Sequence, residues 1–344
     1  ATLAQISPDG SMAYHVNAQL ALRGAVDVRI LQGALEQVIA RHEALRTIVV
    51  GEQQRVLPAA EVGAALVEVD LSGEANVEEV LAAWLWEHAA HPFDLSEAPL
   101  FNVFLLKLAD EYRLVLKGHH VIVDGLSMNL IVRELSALYT AGVEGVAAEL
   151  EVPLQYGEYL RWQGDNVFEQ ARTYWLEQSL DEVPALELPA DRAQPALRSY
   201  AGGRIARPID TALSAQIKEL SRSQGCTHFM TLFSAYALFL HRISAQDDLL
   251  VGIPVAGRSL PRGETLVGYC THLLPVRSRF DAAQSFADYL KSTRGVLLCA
   301  YQHQDYPFAR LIDEIGVRRD GSGAPLVSAL FNLDQPGDAP SMGG

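Results

Sequence analysis

The alternation of hydrophobic and polar positions predicts an α/β fold for the first half of the chain. Residues 13–23 alternate as a strand does, and apolar side chains spaced three and four apart predict a helix from Asp27 to about His42. Asp27 is the predicted N-cap of that helix. The same two periodicities predict a strand start at 44–50, a short apolar run at 64–69, a helix at 76–90, a hairpin of 100–108 with 112–117, and a helix at 127–139.

The second half shows the same mixture of helix and strand patterns, after a segment that contains prolines, glycines and scattered charged residues. That segment, 181–204, is the predicted linker, which separates an N-terminal lobe of residues 1–180 from a C-terminal lobe of residues 205–344. The pattern of the second half predicts helices at 210–224, 227–243 and 286–300 and strands at 249–255 and 273–279. The helix and strand patterns that the two halves share are compatible with two similar lobes.

Composition narrows the class of protein. The chain has 344 residues, of which 49% are hydrophobic and 20% charged, so it can bury a substantial core. The net charge of −15 makes nucleic acid an unexpected partner. The three cysteines form no CxxC pair, so we expect reduced thiols and no thiolate metal site. No apolar window suits a membrane span or signal peptide, and the termini at Ala1 and Gly344 predict an excised piece of a longer chain.

Candidate chemistry concentrates in residues 117–127, which read Lys-Gly-His-His-Val-Ile-Val-Asp-Gly-Leu-Ser. His119 and His120 end a predicted strand, so their side chains point to opposite faces and only one of them can line a site. Asp124 can accept backbone hydrogen bonds or pair with an arginine, and Gly125 permits a tight turn. A histidine held in this way is suited to proton transfer near neutral pH.

Other candidate motifs fail or are better explained by packing. His42-Glu43 begins like a zinc-protease signature, but Arg46 stands where HExxH needs its second histidine. No GxxxxGK[ST] or GxSxG string occurs, so phosphate-loop and serine-hydrolase chemistry have no support. His303-Gln304-Asp305 could suggest acid–base chemistry, but structural packing is the favoured interpretation. Tryptophans 84 and 86 and the aromatic residues of 229–239 are predicted to be core.

The motif His119-His120-Val-Ile-Val-Asp124-Gly125 resembles the HHxxxDG motif of nonribosomal peptide synthetase condensation domains. Five further segments resemble family strings in the family's order, which extends the resemblance over most of the chain. They are 41–47 (RHExLRT), 156–163 (YxDYAxWQ), 268–277 (GxFVNTxxxR), 303–308 (HQDYPFE, with Ala309 in place of Glu) and 319–326 (RDxSRxPL). His272 and Leu273 stand where the family has Asn and Thr. Family members continue further, so we expect an incomplete C-terminal lobe.

The resemblance implies a fold and an activity. The fold is the α/β (α+β) chloramphenicol acetyltransferase-like architecture, a V-shaped pseudo-dimer of two lobes with an active-site tunnel between them. Donor and acceptor carrier proteins bring thioesters on phosphopantetheine arms, and the acceptor amine attacks the donor thioester to form an amide. The domain itself binds no cofactor or metal. Neighbouring synthetase domains such as adenylation domains are expected, in the cytoplasm and without membrane attachment.

The resemblance also implies residue roles. His120 is the central catalytic residue, as a base or as a group that orients the amine and stabilises the intermediate. His119 is a packed support, and Gly125 is a backbone requirement near the substrate path. Asp124 is structural and held by an arginine, for which Arg46 and Arg277 are the candidates.

His272 is a further supporting residue. Because His120 is retained, a catalytically silent recruiting module is the weaker alternative, alongside an epimerization or ester-forming relative. Local basic or apolar patches are expected where carrier proteins dock.

Overall fold

The computed structural model describes residues 8–63, 66–166, 168–192, 202–316 and 326–334. The described residues divide into two compact units. The first comprises 8–166 together with Arg258–Cys270, and the second comprises 168–257 and 271–334. The expected family motif at 319–326 lies outside the described residues except for Leu326.

The first unit is built on a four-stranded sheet of order β1-β6-β5-β4. Its strands are β1 (His15–Leu22), β4 (Leu66–Asp70), β5 (Phe101–Lys107) and β6 (Tyr112–His119). Only the β4–β5 pair is parallel. A separate hairpin joins β2 (Thr47–Val50) to β3 (Gln53–Val56). The predicted strand start at 44–50 is therefore correct only from Thr47, because Glu43–Arg46 form a 3₁₀ helix.

Helices cover both faces of this sheet. The helices of this unit are α1 (Pro8–Met12), α2 (Val28–Arg41), α3 (Val77–Ala90), α4 (Gly125–Glu144) and α5 (Tyr156–Asp165). As predicted, the Asp27 side chain caps α2 by accepting from the amides of Arg29 and Ile30. Helices α2 and α4 pack over the face that carries Leu114 and Leu116, whereas α3 packs over the face that carries Val115. Strand β6 thus buries apolar side chains on both faces at 114–116, and the buried Lys117 on the α3 face donates to the carbonyls of His88 and His91.

The second unit has a three-stranded sheet of order β8-β7-β9, with β7 (Asp248–Val255), β8 (His272–Arg279) and β9 (Ala329–Leu330). Its helices are α6 (Glu169–Leu176), α7 (Thr211–Ser223), α8 (His228–Ser244), α9 (Phe286–Gln302) and α10 (Phe308–Ile315). The helices and strands predicted between 210 and 300 are confirmed to within a few residues. Trp175 and Leu180 are buried in this unit's core, so α6 belongs here although it precedes the predicted linker.

Two aromatic residues predicted to be core are exposed. Trp86 is 80% exposed, because it follows Trp84 by two positions and so lies on the opposite side of α3 from the side chains that contact the sheet. Phe239 is 56% exposed, whereas Phe233 on the same helix is fully buried. Six residues separate them, which is well off a whole number of helical turns. The apolar stripe of α8 therefore excludes Phe239.

No helix among the described residues is both long enough and apolar enough to cross a membrane. The cysteines, at 226, 270 and 299, are all free.

Candidate functional site

The histidine motif lies where β6 ends and α4 begins. The His119 amide donates to Leu100 O on the neighbouring chain segment, and the His120 amide donates to Tyr14 O at 2.7 Å. The amides of Ile122 and Val123 both donate back to His119 O. Asp124 is the N-cap of α4, and its Oδ1 accepts from the Ser127 amide at 2.9 Å. The loop is therefore short and tied at both ends.

His119 points to the α3 face of the sheet and is buried, which confirms that the two histidines face apart. The Val121 amide donates to Nδ1 of His119 at 3.1 Å, which fixes the ring proton on Nε2, 3.4 Å from Ser11 Oγ. His15 and Phe93 contact this ring edge-on. Burial, with smaller contributions from the neighbouring imidazoles of His15 and His120, lowers the pKa of His119 to about 4. The His119 ring is therefore neutral near pH 7 and packed against other aromatic rings.

His120 is half-buried and has one fixed tautomer. Its Nδ1 lies 3.0 Å from Val123 O, and because a carbonyl only accepts, Nδ1 carries the proton and Nε2 keeps its lone pair. Burial lowers the pKa of His120, although the Val123 carbonyl and the Asp124 charge oppose this shift. Within the part of the chain that the structure describes, no group hydrogen-bonds Nε2. This nitrogen is available to a substrate.

Asp124 is 1% exposed and collects four donors. Arg258 Nη2 lies 2.7 Å from its Oδ1, Ser127 donates through its amide and hydroxyl, and the Cys270 amide donates to Oδ2 at 3.1 Å. Burial alone would raise the pKa of Asp124, but the hydrogen bond and charge of Arg258 and the backbone donors hold it below its usual range. Asp124 is a buried anion that fixes the start of α4.

The two arginines expected to hold Asp124 do not do so. Arg46 donates to the carbonyls of Ile39 and Leu57, because the 3₁₀ helix that carries it follows directly from α2. Arg277 on β8 pairs with Asp248 on the adjacent strand β7 at 2.6 Å. Asp124 instead pairs with Arg258, 134 residues away in sequence. No local pattern marks that arginine, which is why sequence reasoning missed it.

Gly125 and Gly118, at the two ends of the histidine loop, differ in their surroundings. Gly125 is the first residue of α4, and a Cβ built there meets no atom of the described chain within 4 Å. The chain's own packing thus does not require glycine at this position. Gly118 does require it, since a Cβ there would lie 2.6 Å from a methyl of Val123. The close approach lies one residue before the histidine pair.

The RHEALRT segment binds the middle of α4, away from the end that Asp124 caps. Arg41 and His42, at the end of α2, both bind the buried carboxylate of Glu134 on α4, with His42 Nε2 at 2.8 Å. Gln155, just before α5, donates to Arg41 O and accepts from the Glu43 amide. The RHExLRT-like segment therefore supports the helix that follows the two histidines.

The segment Arg258–Cys270 supplies the last wall of this site. Its Gly268 packs against the Tyr156 ring so closely that a Cβ would lie 2.2 Å from Tyr156 Cδ2. Ser127 Oγ accepts from the Gly268 amide at 3.0 Å, and the rings of Tyr269 and His120 meet in a T-shaped arrangement. Sequence reasoning identified Gly268–Arg277 as a motif but assigned no role to Ser127 or Tyr269.

His272 lies on β8 in the second unit and is buried, which lowers its pKa against the opposing charge of Asp305. The nearby HQDYPF segment packs within the same unit. His303 stacks on Tyr174 and its carbonyl accepts from the indole of Trp175, while Tyr306 is buried. These contacts are all internal to the second unit.

Comparison with known proteins identifies the family. The family model described as the condensation domain matches residues 2–341. The chain belongs to the condensation-domain family. It is 36% identical over 344 residues to one of the plipastatin synthase proteins of Bacillus subtilis (strain 168), a match that covers 95% of this chain and 13% of that protein. It is 37% identical over 343 residues to one of the linear gramicidin synthase proteins of Brevibacillus parabrevis, covering 96% of this chain and 4% of that protein.

Solved structures give the same fold. The X-domain from teicoplanin biosynthesis superposes with a TM-score of 0.82 at 28% identity, covering 93% of this chain and 74% of that one. The first condensation domain of the calcium-dependent antibiotic synthetase gives 0.78 at 21% identity, covering 98% of this chain and 80% of that one. The fold class expected from the motifs is confirmed. The chain spans only a small part of the synthetase proteins it matches.

Proposed function

We propose that this domain joins a donor acyl or peptidyl thioester to the amine of an acceptor thioester, as an acyltransferase of nonribosomal peptide synthesis. The observation that carries the proposal is the state of His120. Its Nδ1 proton is committed to Val123 O, its lowered pKa keeps the ring neutral near pH 7, and its Nε2 lone pair has no partner among the described residues. A neutral imidazole nitrogen of this kind can accept a proton or a hydrogen bond from an amine.

The reaction balances without any cofactor of the domain's own. The acceptor amine forms a C–N bond to the thioester carbonyl, the C–S bond breaks, and the amine proton ends on the departing thiol. Nε2 of His120 either carries that proton or orients the amine and stabilises the charged tetrahedral species. Asp124 and His119 stay in fixed charge states, anionic and neutral, and hold the loop that presents His120.

Partners follow from the family and are part of the proposal. We infer donor and acceptor carrier proteins with phosphopantetheine arms, and neighbouring adenylation domains, because the matched relatives are synthetase proteins much longer than this chain. A four-domain nonribosomal peptide synthetase bound to AMP and glycine also contains this fold, at 20% identity. A cytoplasmic location is supported by three free cysteines, which suit a reducing compartment.

Gly125 has a proposed role on the same basis. A methyl group at this position would meet no atom of the described chain, so the glycine is not explained by folding. It lies next to Asp124 at the start of α4, directly after the His120 loop. We infer that the open space beside Gly125 is used by substrate.

A second candidate, a module that recruits another protein without catalysis, is favoured by one observation. The X-domain from teicoplanin biosynthesis, also solved as a complex with OxyB, is among the similar structures and is 29% identical in that complex. The intact His120 site favours catalysis over this alternative. Epimerization and ester formation remain variants of the catalytic proposal that differ in the product.

A single-turnover assay separates these functions. Donor and acceptor carrier proteins loaded with thioesters are mixed with wild type, His120→Gln or the control His91→Gln, which changes an exposed histidine. Intact-protein mass spectrometry should show the donor group moved to the acceptor amine with wild type and control, and a loss of at least about 100-fold with His120→Gln. Transfer at the wild-type rate by His120→Gln would contradict the catalytic proposal. Binding of carriers without any transfer would favour the recruiting module.

A further inference from the structure

The side chain of Tyr269 contacts the proposed catalytic histidine directly. Its ring centroid lies 5.4 Å from that of His120, and the two planes meet at 73°, an edge-to-face arrangement. Tyr269 occupies the unspecified position of the GxFVNT-like segment, and both residues lie within the first unit. Tyr269 is 42% exposed, so part of the residue meets solvent although its ring contacts His120.

The backbone on both sides of Tyr269 is fixed to the site. Gly268 donates its amide to Ser127 Oγ at 3.0 Å, and Cys270 donates its amide to Asp124 Oδ2 at 3.1 Å. The Tyr269 carbonyl itself accepts from Tyr156 OH at 2.9 Å. Three consecutive residues are therefore held by hydrogen bonds, which leaves the Tyr269 side chain little freedom except rotation about its own bonds.

Among the residues that the structure describes, the imidazole of His120 has a single hydrogen bond. The bond from Nδ1 to Val123 O sets the tautomer, but a single hydrogen bond at the ring edge leaves the imidazole plane free to swing about it. We propose that Tyr269 is a positioning residue for His120, whose ring fixes the plane of the imidazole and shields it from water. This inference rests on the proposed catalytic role of His120.

The pKa of His120 can report how well Tyr269 shields it from water, because the charged groups near His120 stay the same when the Tyr269 ring is removed. The titratable groups that interact with it are the Asp124 carboxylate, neutralised by Arg258, the neutral imidazole of His119 on the other side of the strand end, and the phenol of Tyr269. Burial raises the pKa of Tyr269, so this phenol carries no charge near pH 7. Removing its ring therefore changes the hydration of His120 and not the local charge. Better hydration favours the imidazolium and raises the pKa of His120.

The test is a titration of His120 that does not depend on activity. Histidine-labelled domain is titrated by NMR in wild type, Tyr269→Ala, Tyr269→Phe and the control Trp86→Ala, with the His120 resonance assigned by its loss in His120→Gln. Tyr269→Ala should raise the pKa of His120 by about half a unit or more. Tyr269→Phe, which keeps the ring, and Trp86→Ala, which removes a distant exposed ring, should leave it unchanged.

A second readout reports on orientation. In the carrier-protein transfer assay, the acid limb of the rate–pH profile should move to higher pH in Tyr269→Ala, with the wild-type profile kept by Tyr269→Phe. Tyr269→Leu, which removes the aromatic ring but leaves some side-chain volume, replaces the alanine variant if that variant does not fold. An unchanged His120 pKa in the variant that folds would overturn the positioning role. Absence of transfer by wild type would instead refute the proposed function and leave the titration result standing.

Discussion

The two adjacent histidines of the motif, His119 and His120, differ in burial and in tautomer although they are the same residue type. His119 is buried among aromatic rings with its Nδ1 occupied by a backbone amide, whereas His120 is half-buried with Nδ1 donating to a carbonyl. The two rings therefore hold opposite tautomers. Strand geometry separates their faces, and the loop hydrogen bonds then decide which nitrogen each exposes.

The Asp124–Arg258 pair carries the first prediction at this scale. Arg258→Met leaves a carboxylate that is 1% exposed without its cation, so the free energy of unfolding should fall by about 3–5 kcal/mol. Urea denaturation measures this loss. The control Arg222→Met breaks an exposed ion pair with Glu219 and should have no measurable effect. Equal losses in the two variants would contradict the assignment of Arg258.

A double variant tests the pair directly. The free energy of unfolding lost by Arg258→Met combined with Asp124→Asn should be smaller than the sum of the losses in the two single variants.

At the scale of elements, α4 is held by charge at its start and in its middle. Asp124 caps its first turn, and Glu134 in its middle binds Arg41 and His42 from the end of α2. These contacts join the helix after the histidine motif to the helix after β1. The RHExLRT-like string thus acts on the site through the packing of α2 against α4, without reaching His120 itself.

Glu134 predicts a pH dependence of stability. Burial would raise its pKa, but hydrogen bonds and charge from His42 and Arg41 hold it below the usual value of 4.5. A carboxyl whose folded pKa is depressed contributes stability above its unfolded pKa, and this contribution is lost as pH falls through the folded pKa. Glu134→Gln should therefore cost about 1–3 kcal/mol at pH 7. The difference from wild type should shrink below pH 4.5.

Urea titrations from neutral to acidic pH, through and below the usual glutamate pKa, measure this difference. Glu219→Gln, on the exposed face of α7, serves as the matched control and should track wild type throughout. A gap between Glu134→Gln and wild type that stays constant across the whole range would refute the linkage.

Periodicity predicted the elements well because each depends on nearby residues. Asp27 marked the start of α2, and the hairpin of β5 with β6 followed from two short β-rich runs. The partner of Asp124 could not be predicted in this way, since Arg258 lies in a loop without a periodic pattern and reaches the site only through the fold. Exposure of Trp86 was missed for a related reason, because composition cannot say which side of a helix meets the sheet.

At the scale of the whole molecule, the first unit is discontinuous in sequence. Arg258–Cys270 belongs to it, although the predicted linker at 181–204 precedes that segment. Leu260 and Leu266 pack with Leu154 and Tyr159, and Arg258 completes the Asp124 site. The chain leaves the first unit after Asn166, and this unit is completed only by residues 258–270.

This arrangement predicts the behaviour of a cut chain. A specific protease site inserted after Arg192, an exposed residue, would divide the chain into two pieces of which the second contains Arg258–Cys270. After cleavage the two pieces should still elute together on size exclusion, because the first unit is built from residues of both pieces. Arg258→Met should weaken this association, whereas Arg222→Met should not. Separation of the wild-type pieces under native conditions would contradict the assignment of the segment.

The same discontinuity sets an order of events during synthesis. A nascent chain emerging from the ribosome through residue 192 has already made both histidines, Asp124 and all four strands of the first sheet, yet it lacks the arginine that neutralises Asp124. Until residue 258 emerges, a carboxylate destined for the interior has no cation, and burying it unpaired is unfavourable. The loop that presents His120 can reach its final form only after α6, α7, α8 and β7 of the second unit have been translated. Any chaperone that engages the nascent chain early would meet a sheet complete in sequence but with an unfinished site.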